Sequence, residues 1–186
     1  MPAADLSETR SLPDGADRIA AFLDSPEVLK FFDYWRSKRT GRGLPSRADI
    51  DPIEIPWALP WIFLMDYEEP ETFRYRLAGQ ELADVFGRNL KGCSLQDVLS
   101  AEALPSVTER WMPLVDSRAV ICMKGMVYEA KGRLPIGERI MLPLADEPDG
   151  PVTGLLGMTI YTWVPEDALP ERQPAAVLTV PSNAIA

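Results

Sequence analysis

The chain has 186 residues, of which 46% are hydrophobic and 25% charged, with a formal charge of −9 and no histidine. That length suits one domain with a single core plus extensions. The acidic balance argues against nucleic acid and anionic membranes as partners, since both are bound through lysine and arginine, and the lack of histidine removes histidine bases, histidine-ligated haem and histidine zinc sites.

Cys93 and Cys122 are too few for a disulfide framework or a cysteine metal site and read as reduced thiols. The opening MPAADLSETRSLPDG has no apolar run fit for a signal peptide, and no run of about 18 apolar residues occurs further on. The expectation is a soluble, cytoplasmic protein.

Residues 1 to 13 read as frayed. Ile19, Phe22 and Leu23 then give a short amphipathic pattern. Ser25 can cap a helix with Pro26 at its first position and Glu27 in its first turn, and Val28, Phe31, Phe32 and Trp35 follow at helical spacing. Such an aromatic stripe needs a surface, from this chain or from a second copy. Phe31, Phe32 and Trp35 are therefore the candidate dimer contact. Gly41 and Gly43 end the helix, and Pro45, Pro52, Pro56 and Pro60 mark an irregular connection.

Trp61 to Tyr67 reads as a strand that is apolar on both parities, as expected where both faces of a sheet are covered. An acidic turn with Glu68, Glu69 and Pro70 leads to a second strand, in which Phe73, Tyr75 and Leu77 alternate with Arg74 and Arg76. Short helices follow. Leu82, Val85 and Phe86 precede Gly87, Ser94 and Asp97 form a capping-box start, and Leu104, Val107, Trp111 and Val115 keep a helical period that Pro113 should end or kink. Val120 to Ala130, Arg139 to Leu144 and Thr153 to Trp163 read as strands, joined by turns at Lys131-Gly132 and Asp149-Gly150. Pro143 should mark a bulge or a strand end. From 165 to 186 the chain is proline-rich and reads as a flexible tail.

A hairpin, a cluster of short helices and a three-strand meander, with YW at 34–35, LPSRADIDP at 44–52, LP at 59–60 and FRYRLAG at 73–79, resemble a PAS sensory domain, and most nearly a bacterial family of stand-alone PAS proteins. The resemblance implies an α+β fold. It would have a five-stranded antiparallel sheet with short helices on one face and an N-terminal amphipathic helix. It divides the chain into an N-terminal helical extension and connection (1–52), a PAS-like domain (53–164) and the tail (165–186). It also implies a homodimer and signalling through a protein partner.

A pocket in such a fold would lie between sheet and helices, with Tyr75, Phe86, Trp111, Met126, Tyr128, Met141 and Met158 as its candidate lining. These side chains serve equally well as ordinary core. Arg36, Lys38, Arg39, Arg42 and Arg47 form a basic cluster that could hold a phosphate or nucleotide. Arg36, Arg39, Arg42 and Arg47 are the anion-site candidates, against a solvated helix end with Arg47 pairing Asp49 or Asp51. Asp49, Asp51 and Glu54 have a superficial metal-loop spacing, but Pro52 interrupts it and the glycine of a calcium loop is missing, so no metal site is expected. Light-sensing PAS domains carry a flavin-reactive cysteine in a motif like GRNCRFLQ. This chain has GRNL at 87–90, no RFLQ follows, and Cys93 is out of place for that chemistry.

Three functions compete. A sensory or regulatory module acting in trans, binding a small molecule, a protein partner or both without catalysis, accounts for the doubly apolar first strand and the aromatic helix together. A ligand-free docking adaptor would look the same in sequence. A small α+β pocket enzyme needs a histidine or paired acids in the pocket; there is no histidine, and the acids gather in turns and helix starts, so no catalytic residue is expected.

Overall fold

Residues 14–128, 133–165 and 175–186 are described by a computed structural model of the chain. The stretch expected to fray, 1–13, and the Lys131-Gly132 turn lie outside the described residues. Helix α1 spans Gly15–Phe22 and α2 spans Pro26–Ser37. The start of α2 is written in its cap: Ser25 Oγ accepts from the Val28 amide at 3.3 Å, and Pro26 holds the first position, where no amide is needed. After α3 (Gln80–Phe86), Gly87 takes a left-handed φ of 65°, which glycine adopts without strain. At α4 (Leu95–Val98) the Asp97 carboxylate accepts from both the Ser94 amide and the Ser94 hydroxyl, at 2.7 and 2.8 Å.

Helix α5 (Leu104–Asp116) runs on past Pro113, so of the expected end or kink the end does not occur there. Pro113 lies in the last turn, so only one amide donor is lost, and its carbonyl still accepts from the Ser117 amide. Trp111 and Leu114, on either side of it, are buried and hold the helix down.

Strands β1 (Ile62–Glu68), β2 (Thr72–Ala78), β3 (Ala119–Met126), β4 (Arg133–Ala145), β5 (Val152–Pro165) and β6 (Ala176–Pro181) form one antiparallel sheet of order β2-β1-β5-β4-β3-β6. The first five are the expected hairpin and meander. The sixth corrects the expected tail: Ala176–Pro181 pairs along β3 from Lys124↔Ala176 to Ala119↔Pro181. Val180 is buried close to Gly15 of α1, and that contact makes a strand of a segment whose prolines argued for none. Pro143 lies inside β4 opposite Leu155, and the register shift comes one residue later, between Leu144 and Ala145. It is tolerated because β3–β4 pairing ends at Ile121↔Met141, so β3 requires no amide from it.

Register sorts the sheet side chains into two layers. Ile62, Met158, Ile140, Cys122 and Leu178 form one cross-strand row, and this face is covered by α1 and α2. Phe63, Gly157, Met141 and Ile121 form the neighbouring row on the other face, toward α5. The Trp111 ring stacks on Phe63 with centroids 6.4 Å apart and meets Phe73 edge-on at 5.5 Å. Glycine is required at 157, because a Cβ there would come within 2.1 Å of the Phe63 ring.

Both faces are thus dry, which is why β1 shows no alternation. Phe31, Phe32 and Trp35 are at most 2% exposed, packed with Val28 against their own sheet. The aromatic stripe is core rather than dimer contact. At about 1.5–3 kcal/mol for each large apolar side chain buried, leaving these three rings in water would cost an amount comparable with the whole net stability of a domain.

Candidate functional site

The interior between the sheet and α3–α5 is built around one buried cation that sequence reading passed over. Arg139 is 6% exposed and leaves β4 toward the helices. Its Nε donates to Thr159 Oγ1 at 3.0 Å, across the Arg139↔Thr159 pair of β4 and β5, and its Nη2 donates to the Val127 carbonyl at 2.7 Å. The guanidinium carbon lies 4.3 Å from the centre of the Tyr128 ring and 5.8 Å from that of Phe63. Among the described residues no carboxylate pairs with it. A buried charge held only by neutral acceptors and ring faces is unusual, since such charges are ordinarily paired.

Tyrosines surround it. Tyr128 meets Phe86 and Tyr161 edge-on, each with centroids 5.8 Å apart, and Tyr75 meets Phe63 at 6.3 Å. The Tyr161 hydroxyl donates to the Glu81 carbonyl at 3.0 Å, whereas among the described residues the hydroxyls of Tyr75 and Tyr128 have no hydrogen-bond partner. Burial pushes the pKa of Tyr75 up, and Tyr128 adds to the rise while Arg139 opposes it. These groups therefore lie within electrostatic reach of one another.

The candidate lining is divided by this arrangement. Tyr75, Phe86, Trp111 and Tyr128 come together, and Met141 lies on the same face. Met126 is half-buried at the far end of β3, beside Gly125. Met158 is on the opposite face: it pairs with Ile62 and Ile140, under α2, because one residue along a strand reverses the side chain. Arg139 itself could not be told from a solvent-facing strand residue by pattern. The one available signal was a lone charge inside the run Ile140 to Leu144.

On the other face Glu138 is also buried, at 7%. Its two carboxylate oxygens accept from the amides of Asp24 and Ser25, each at 2.8 Å, and Lys124 Nζ lies 3.6 Å away. The carboxylate thus ties the start of α2 to the sheet, where the helix dipole also favours an anion. Nearby, burial lifts the Cys122 thiol to about 12, with Glu138 adding to the effect.

A family model for the PAS domain matches residues 23–160. The chain belongs to the PAS domain family. No curated protein and no solved structure matches it significantly. The match takes in α2 and the 44–60 connection, so in this PAS domain the helix covering the second sheet face falls within the family region. Among the described residues no helix is long and apolar enough to cross a membrane.

The basic cluster of this PAS domain is dispersed. Arg39 spends its donors on backbone: Nε on Gly43 O at 3.1 Å, Nη1 on Ile185 O at 2.9 Å, and Nη2 on Ser182 O and Arg42 O at 3.0 and 3.1 Å. Burial, followed by the charges of Arg36, Arg118 and Arg42, holds its pKa down. Arg36 donates to Ala186 O at 2.8 Å and pairs with Asp33. These two guanidiniums fasten the segment after β6 to the end of α2, rather than present a shared fork to a phosphate. Arg42 is exposed. Arg47 stands apart, on a groove of about 190 Å3 shared with Asp66, Arg76, Asp146 and Thr153, and it pairs with neither Asp49 nor Asp51. Asp49 accepts from the Ser46 amide and hydroxyl, Asp51 from the Ile53 amide, and Glu54 pairs with Lys38, so these acids diverge.

Proposed function

We propose that this PAS domain is a sensory or regulatory module without catalytic activity of its own. Its sensing region is the interior around Arg139, and its output is a change in how α1 and α2 sit on the far face of the sheet, read by a protein partner. The observation that supports the reading is the adjacency of Arg139 and Glu138 in β4. One side chain enters the interior and the other holds the first amides of α2. A twist of β4 that re-aims Arg139 must also move Glu138, because consecutive strand residues share one peptide plane.

That is a physical link between two sites, of the kind a two-state switch requires. The aromatic packing of Phe63, Phe73 and Trp111 favours a second reading, a ligand-free docking adaptor with a filled core. Native mass spectrometry of freshly purified protein separates the two. A retained small molecule, lost in Arg139→Gln, supports the sensor; a bare chain whose partner binding is indifferent to Arg139→Gln supports the adaptor.

A further inference from the structure

Resting on the reading of the interior as the sensing region, we infer that the site takes a small organic carboxylate with an apolar body, its carboxylate held by Arg139, Tyr75 and Tyr128. The first ground is charge. Arg139 is a buried cation without a carboxylate partner among the described residues, and its present contacts are a hydroxyl, a carbonyl and two ring faces. One monoanion balances it. A phosphate dianion would leave a surplus negative charge, since among the described residues no second cation lies near Arg139 to meet it.

The second ground is donor capacity. Nε and one Nη2 proton are engaged by Thr159 and Val127, which leaves Nη1 and the remaining Nη2 proton. The hydroxyls of Tyr75 and Tyr128 are donors without partners among the described residues, on rings that belong to the same cluster as Arg139. A carboxylate has about four lone-pair sites, enough to accept one proton from each of Nη1 and Nη2 and one from each hydroxyl. The third ground is the surroundings. The neighbouring side chains, Phe86, Trp111 and Met141 among them, are apolar, which suits an aryl or short alkyl body better than a sugar or a polyol.

The choice of a carboxylate also accounts for a protein that keeps a cation where an apolar residue would pack more cheaply. Stability is given up at sites that work. Arg139→Gln and Arg139→Lys separate charge from hydrogen-bond geometry, and Tyr128→Phe removes one donor while leaving its ring against Phe86.

The test uses the whole chain and thermal melts with benzoate or phenylacetate, the neutral benzamide as control, and inorganic phosphate as the competing anion. The expected result is a rise of roughly 5–10 °C for wild type when a carboxylate reaches a hundredfold its Kd, with none for benzamide or phosphate. Arg139→Gln should lose the rise, and Tyr128→Phe should bind about tenfold more weakly. No rise with either carboxylate, an equal rise with benzamide or phosphate, or a rise that survives in Arg139→Gln overturns the inference. Amide exchange at Asp24 and Ser25, followed in the same titration, separates this inference from the sensor reading. A carboxylate that binds through Arg139 and leaves both amides unchanged supports the site and contradicts the relay.

Discussion

The indole Nε1 of Trp35 donates to the carbonyl of Pro143 at 3.1 Å, inside the packed face between α2 and the sheet. Two residues later in β4, the Ala145 amide donates to Pro45 O. The edge that β3 leaves open beyond Met141 is therefore closed by the end of α2 and by the connection that follows it. Pro143 fits there because that edge calls for a carbonyl at this position and not for an amide.

From this follows a graded loss at Trp35. Trp35→Phe keeps most of the ring and strands one carbonyl, so urea unfolding should show a loss of about 1 kcal/mol. Trp35→Ala empties the site and should lose about 3–5 kcal/mol. Light scattering should give the same mass for the wild type and Trp35→Phe; a lower mass for the variant would restore the aromatic stripe as a contact between copies.

Arg39 holds the segment after β6. Arg39→Ala should speed hydrogen exchange at the Ser182 and Ile185 amides and lower stability by about 1–2 kcal/mol, while α5 keeps its protection. Arg39→Lys should not rescue it, because one ammonium cannot span the carbonyls of Gly43, Ser182 and Ile185. Unchanged exchange at both amides would mean that β6 is held by its pairing with β3 alone.

The Asp97 capping box gives a pH dependence. Hydrogen bonds from the Ser94 amide and hydroxyl hold Asp97 below the ordinary value of 3.8. A folded-state pKa below the unfolded one means that the contribution is complete above the unfolded value and is lost as the pH falls through the folded value. Asp97→Asn should therefore be less stable than wild type at pH 7, and the gap should close as the pH drops below about 4. A gap that stays constant from pH 7 to pH 3 would show that the carboxylate charge contributes nothing. Asp49, held down in the same way by Ser46, should behave alike.

Much of the fold is legible where a residue type has one local use. Ser25-Pro26, Gly87 and the Ser94/Asp97 pair each mark a helix end by their own chemistry, and each stands where expected. Tertiary effects are harder to read. Val177, Leu178 and Val180 make a strand only because β3 offers an unpaired edge and α1 a surface for Val180. The aromatic stripe of α2 was visible, but sequence does not say whether an apolar face meets its own sheet or another chain. Of the candidate lining, Tyr75, Phe86, Trp111 and Tyr128 lie together around the proposed sensing region, as their apolar surroundings in the sequence suggest. Met158 was misplaced by a parity that needs the register, and Arg139 was missed because charge on a strand ordinarily points to water.

If β4 carries changes at Arg139 to the start of α2 through Glu138, amide exchange at Asp24 and Ser25 should report them. Glu138→Gln should speed exchange at both amides by about tenfold or more, because the charge-assisted bonds are weakened there. Arg139→Gln, altered only on the opposite face, should also change exchange at both amides while the Ser94–Asp97 turn keeps wild-type rates. If Arg139→Gln leaves Asp24 and Ser25 exchanging as in wild type, the two faces of β4 are independent and the relay is wrong.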